Sequence, residues 1–126
     1  MRTFIFALVL LCLITGGLFL YSNYLDKESE ALLSALSPLY DAAVSEDWAG
    51  AEAHLADVDR LLEEKTPRLA VFTDHDILDD INEVAAKAKA YAKGREAPEL
   101  LAEIESLRAM ISHIPRREAL TFYNIF

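Results

Sequence analysis

Apolar residues are laid out along the chain in two ways. From Thr3 to Leu25 they run almost without interruption, and no charged residue falls among them. From Asp26 onward they recur at three- and four-residue steps between polar residues, the spacing of one face of an α-helix. No stretch shows the two-residue alternation of a half-buried strand. The pattern predicts an all-α protein: an N-terminal transmembrane helix followed by an antiparallel three- to four-helix bundle.

The first segment is long enough to cross a bilayer. A helix needs roughly 20 apolar residues to span the hydrocarbon core, where it satisfies its own backbone hydrogen bonds. Tyr21 and Tyr24 close the segment with rings suited to the interface. A cleaved signal peptide is the competing reading, but its apolar core runs only about 7–15 residues and ends in a small-x-small site. Here the run continues through Leu18, Phe19, Leu20 and Tyr21. A lipoprotein signal needs a small residue before the cysteine, and Leu11 precedes Cys12. Residues 1–25 are therefore expected to be a transmembrane signal-anchor helix in the cell membrane, with the bilayer contacting residues 3–25. Residues 26–126 are expected to be an acidic helical domain. Arg2 ahead of the span and its short tail point to an extracytoplasmic placement of that domain.

Along the polar part, Asp26 to Leu36 extends the first helix, with Leu25, Leu32, Leu33 and Leu36 on one stripe. Ser37-Pro38 suits a new helix start, with a kink in one long helix as the alternative. Ser45 to Lys65 reads as the next helix, carrying Trp48, Leu55, Val58, Leu61 and Leu62. Thr66-Pro67 repeats the cap-plus-proline signal, so a turn from Pro67 to Phe72 is expected. Thr73-Asp74-His75-Asp76 resembles a capping box with Asp in place of Glu, and Phe72 and Ile77 have the spacing of a hydrophobic staple. The helix it opens carries Ile77, Leu78, Ile81, Val84, Ala85, Ala88 and Tyr91 and stops at Gly94. Pro98 opens the last helix, with Leu100, Leu101, Ile104, Leu107, Met110 and Ile111 on its stripe, and Pro115 ends or kinks it. The tail is apolar for a terminus (Leu120, Phe122, Tyr123, Ile125, Phe126), so it is expected to dock on the bundle or on a partner.

Charge narrows the partners. Of the 12 Lys and Arg only Arg2 precedes the span, and all 21 Asp and Glu follow it. A domain this acidic lacks the cations that grip phosphates, which excludes nucleic acid, and an anionic membrane surface repels it.

The candidate chemistry is sparse. His75 and Asp79 stand at i, i+4, and His113 is available as a third metal ligand, but no H-E-x-x-H occurs and Cys12 lies in the span. Asp76, Asp80 and Glu83 form an acidic stripe without the loop that calcium sites use, so a solvated face is expected. Trp48 reads as a core anchor. His113, Glu118 and Asn124 are polar residues within an apolar stretch and need partners if buried. With Trp48 and His75 they make the candidate polar network or interaction site. No nucleophile elbow or phosphate-binding glycine loop is present, so no enzymatic activity, cofactor or metal is expected.

Asp47-Trp48, Phe72-x-x-His75, Ile111-x-His113-Ile114 and Glu118-x-Leu120-Thr121-x-x-Asn124-Ile125-Phe126 together resemble domain-of-unknown-function family 4363. The resemblance implies a small single-span bacterial membrane protein and, as a partner, a multispanning membrane protein. It gives no residue a role. The expected function is a protein-interaction or accessory module at the cell envelope. The alternative is a small-ligand or metal-sensing extracytoplasmic domain centred on Trp48, His75 and His113.

Overall fold

The computed structural model describes residues 1–71 and 73–125, with the side chains of residues 115–125 left aside. Four helices follow one another: α1 (Arg2–Val44), α2 (Trp48–Leu69), α3 (His75–Lys93) and α4 (Ala97–Ile125). No strand occurs among the described residues. Each helix packs against its two neighbours in a ring, α1 and α3 both lying beside α2 and α4, and among the described residues no close backbone approach crosses a diagonal. The short connections at 45–47, 70–74 and 94–96 turn each helix back along the one before it, which makes the bundle antiparallel.

The core follows the three-and-four spacing of the sequence. Leu32, Leu36, Leu39 and Ala43 of α1 meet Ala51, Leu55, Val58 and Leu62 of α2. Ile81, Ala85, Ala88 and Ala92 of α3 and Leu100, Ile104, Leu107 and Ile111 of α4 close the other side. Fully burying one of these leucine, isoleucine or valine side chains contributes about 1.5–3 kcal/mol. Leu33, Trp48, Leu61, Ile77, Tyr91, Leu101 and Met110 form a half-buried rim on this core.

Core packing stops abruptly along α1. Leu25 is the first buried residue, and nearly every residue before Tyr21 is exposed. The backbone does not break there: α1 is a single helix of 43 residues, about 65 Å long at 1.5 Å per residue. Its first part is long and apolar enough to cross a membrane, and none of that apolar window is buried in the bundle.

Three proline signals read differently in three dimensions. Neither Ser37-Pro38 nor Thr66-Pro67 starts a helix, because α1 runs on through Pro38 and α2 through Pro67 to Leu69. Thr66 Oγ1 donates to the Leu62 carbonyl at 2.6 Å, so its hydroxyl serves the helix already under way. Pro38 and Pro67 are both exposed, which leaves water to bond the carbonyls their missing N–H groups cannot reach. Likewise α4 continues past Pro115 to Ile125.

The turns also differ from expectation. Ser45 does not open α2 but ends α1, its Oγ donating to the Asp41 carbonyl at 2.8 Å. Asp47 is the α2 cap and accepts from the Gly50 N–H at 3.1 Å. A Cβ at Gly50 would meet that carboxylate, which would have to turn aside to keep the bond. The Thr73 capping box does not form. The Thr73 N–H is held by the Leu69 carbonyl, Asp74 becomes the cap residue without a side-chain bond, and Phe72 of the expected staple lies outside the described residues.

Helices α1 and α3 end in the same motif. Asp47 N–H bonds the Ala42 carbonyl and Glu46 N–H the Ala43 carbonyl; Glu96 and Arg95 repeat this on Tyr91 and Ala92. The left-handed residues are Glu46 (φ 55°) and Arg95 (φ 54°), whereas Gly94 has φ −76°. The glycine therefore stands one position before the residue that needs it. A Cβ at Gly94 would make only ordinary contacts, the nearest at 3.5 Å. The paired substitution Gly94→Ala with Arg95→Gly is expected to raise stability by about 1 kcal/mol, since a non-glycine residue in this conformation costs about 1–2 kcal/mol. A lower melting temperature by circular dichroism would count against this geometry.

Candidate functional site

The residues singled out from sequence do not converge. Trp48 is the first residue of α2 and half-buried, at the end of the bundle away from the apolar part of α1. His75 is the first residue of α3, at the opposite end and exposed. The 22 residues of α2 separate those ends by roughly 33 Å. His113 lies toward the His75 end on α4 and is also exposed. Neither histidine side chain makes a hydrogen bond or ion pair with a described residue. The side chains of Glu118 and Asn124 lie outside the described residues. Among the described residues no three His, Cys, Asp or Glu side chains come close enough to hold a metal ion. Asp76, Asp79, Asp80 and Glu83 are all exposed on the outer face of α3. Glu83 holds Lys87 there at 3.0 Å, and this hydrogen-bonded carboxylate raises the Lys87 pKa.

What the fold does bring together is a polar cluster at the end where α1 leaves the bundle. Lys65 Nζ of α2 lies 2.5 Å from Glu28 Oε2 of α1, with the two side chains only 11% and 14% exposed. The adjacent Ser29 is buried, and its hydroxyl has no hydrogen-bond partner among the described residues. Thr73, in the α2–α3 turn at this end, is buried with its hydroxyl in the same condition. The Tyr21 hydroxyl is likewise shielded from solvent. The other ion pairs are far more exposed: Lys89 with Asp59 ties α3 to α2, while Arg60–Asp57 and Arg108–Glu105 are local. Exposed pairs contribute only ~0–1 kcal/mol each.

The sequence did carry a signal for this cluster. Ser29 falls on the α1 stripe between Leu25 and Leu32, and Lys65 on the α2 stripe between Leu62 and Leu69. A polar residue at an apolar position of a helical stripe marks a buried polar contact.

A buried hydroxyl without a partner is unfavourable by about 1–3 kcal/mol. Thr73→Val and Ser29→Ala are therefore each expected to keep or raise the melting temperature, by up to a few degrees. A clear drop for either variant would mean that its hydroxyl is bonded.

A second feature is a shallow groove of about 230 Å³ between α2 and α3, lined by Glu52, Leu55, Ala56, Asp59, Lys89, Ala92 and Lys93. Its floor is aliphatic and its rims carry both signs of charge.

The family described as Domain of unknown function (DUF4363) matches residues 19–125. The chain belongs to this family. No curated protein and no solved structure matches it. The matched span of DUF4363 takes in the whole bundle, the Glu28–Lys65 cluster and all of α4 to Ile125. It leaves out residues 3–18, so the case for a membrane span rests on the composition and exposure of α1 itself.

Proposed function

We propose that this protein is a membrane-anchored accessory module of the bacterial cell envelope, whose DUF4363 bundle stands outside the cytoplasm and docks on a multispanning membrane protein. The observation that carries the anchoring is the apolar part of α1, all of it uncovered while the core of the bundle closes without it. Soluble proteins rarely expose apolar patches above a few hundred Å², and this one includes Phe4, Phe6, Leu10, Leu13, Phe19 and Leu20. A bilayer covers such a surface on every side at once.

Placement outside the cytoplasm is supported by charge. Segments that stay inside are rich in Lys and Arg close to the span. Residues 26–45 carry a single cation, Lys27, against four carboxylates, Asp26, Glu28, Glu30 and Asp41, and the next cation is Arg60. Docking is supported by the apolar tail sequence, Leu120 to Phe126, within the matched family span.

Mild-detergent pull-down from native membranes tests the docking. The full chain is expected to recover a defined multispanning protein, and deletion of residues 120–126 to lose it. Recovery of the free protein alone by both forms would overturn the docking reading. Retention in membranes through alkaline extraction tests the anchor, and release into the soluble fraction would overturn that.

A further inference from the structure

We infer that the α2–α3 turn is a second membrane contact, with Val71 seated in the headgroup layer of the bilayer that holds α1. The inference rests on the anchored reading and adds to it a surface of the bundle itself.

The Glu28–Lys65 pair sets the level of α2 against α1, because the two charged groups lie 2.5 Å apart. Val71 comes six residues after Lys65, about 9 Å farther along the chain at helical rise. The backbone stays close to helical over that distance: Ala70 has φ −62° and ψ −20°, and the Thr73 N–H bonds the Leu69 carbonyl. Antiparallel packing then brings Val71 level with the residue six before Glu28, which is Ser22. Tyr21 and Tyr24 flank that position, with rings that favour the membrane interface. A hydrocarbon core of about 30 Å takes up roughly 20 helical residues, so a core entered at Thr3 is left near Ser22. Both measures place the turn at the membrane boundary.

No hinge lets the bundle move away from this position. α1 passes from the apolar segment into the bundle as one helix, and Leu25 is already packed in the core. Val71 is 68% exposed in the absence of lipid. A single exposed valine is ordinary, and Val44 is another at 57%. Their positions separate them, because Val44 ends α1 at the far side of the bundle. The charges near the turn are mixed. Lys27 and Arg68 are exposed and long enough to reach phosphates, while Asp26, Asp74 and Asp76 are exposed as well. The contact is therefore assigned to zwitterionic lipid and gains nothing from anionic lipid.

Spin labels on the full chain, in a Cys12→Ala background, test the inference in phosphatidylcholine nanodiscs. Val71→Cys, Val44→Cys and Leu10→Cys are labelled separately, and collisions with oxygen and with a water-soluble nickel chelate are compared. Position 10 is expected to favour oxygen and position 44 nickel. Position 71 is expected to show an oxygen-to-nickel ratio several-fold above that at position 44. If position 71 matches position 44 while position 10 reads lipid, the turn stands in water and the inference falls with the anchor intact. If position 10 also reads water, the anchor reading fails and takes the inference with it.

Discussion

Lys65→Met is expected to destabilise the bundle by about 3 kcal/mol, and the double variant Lys65→Met with Glu28→Leu to recover most of that loss. The single change strands the Glu28 carboxylate, which is only 14% exposed, beside the buried Ser29. Removing one member of a buried pair typically costs ~3–5 kcal/mol, because the remaining charge is neither solvated nor neutralised. The slight exposure of both groups sets the expectation at the low end of that range. Replacing both by apolar residues of similar volume removes the charges together, which is often neutral or stabilising. Thermal unfolding of the full chain in mild detergent, followed by circular dichroism, reads all three forms. A Lys65→Met variant as stable as the parent would show that the pair is solvated and that it does not hold α1 to α2.

The value of such a pair lies in register rather than in net stability, and the rest of the core shows why register needs it. The α1 and α2 stripes are built from leucine and alanine at repeated spacings: Leu32, Leu36, Leu39 and Ala43 against Ala51, Leu55, Val58 and Leu62. Aliphatic stripes of this kind tolerate a slip of one turn with modest loss of buried area. A slip would part Lys65 from Glu28 and bury each charge against hydrocarbon. One polar contact thus distinguishes alignments that the apolar contacts leave nearly equal. The same contact sits at the end of the bundle nearest the exposed apolar segment, so it also sets how far α2 and its turn reach along α1.

The helices and their buried faces were legible in the sequence because both depend on spacing along one element. Leu25, Leu32 and Leu36, or Leu100, Ile104 and Leu107, announce their face whatever they pack against. Helix ends were less legible, since cap signals are local and compete with one another. Thr66 bonds back to Leu62, and Thr73 is held by the last turn of α2. Asp47, which no cap signal singled out, makes the cap that forms. The candidate site was the least legible part. Trp48 and His75 are each conspicuous in sequence, but an up-and-down topology sends them to opposite ends, and topology is not written in either residue's neighbourhood. The polar cluster was overlooked for the converse reason. Ser29 and Lys65 are unremarkable residue types, and only their places on apolar stripes mark them.

Pro38→Ala is expected to stabilise the protein by about 2 kcal/mol. Pro38 stands inside α1, between the fully buried Leu36 and Leu39, with its own ring on the exposed side. It removes the N–H that would reach the Ser34 carbonyl four residues earlier, and its ring crowds that carbonyl; together these cost ~3 kcal/mol or more inside a helix. Alanine restores the bond and has the highest helix propensity of any residue. Part of the gain is lost because proline also restrains the unfolded chain, by about 0.4–1 kcal/mol. Pro67→Ala is expected to gain less, since Pro67 lies two residues from the end of α2, where the hydrogen-bond ladder is already running out. A second substitution separates one helix from two. If a new helix began at Pro38, Ser37 would be its cap, and Ser37→Ala would cost about 1 kcal/mol. In a continuous α1 the exposed Ser37 caps nothing, so Ser37→Ala is expected to be neutral or slightly favourable. A stabilising Pro38→Ala with a silent Ser37→Ala therefore establishes one unbroken helix from the apolar segment into the bundle. A harmful Ser37→Ala with no gain at Pro38 would break α1 in two and remove the rigid connection on which the seating of the α2–α3 turn depends.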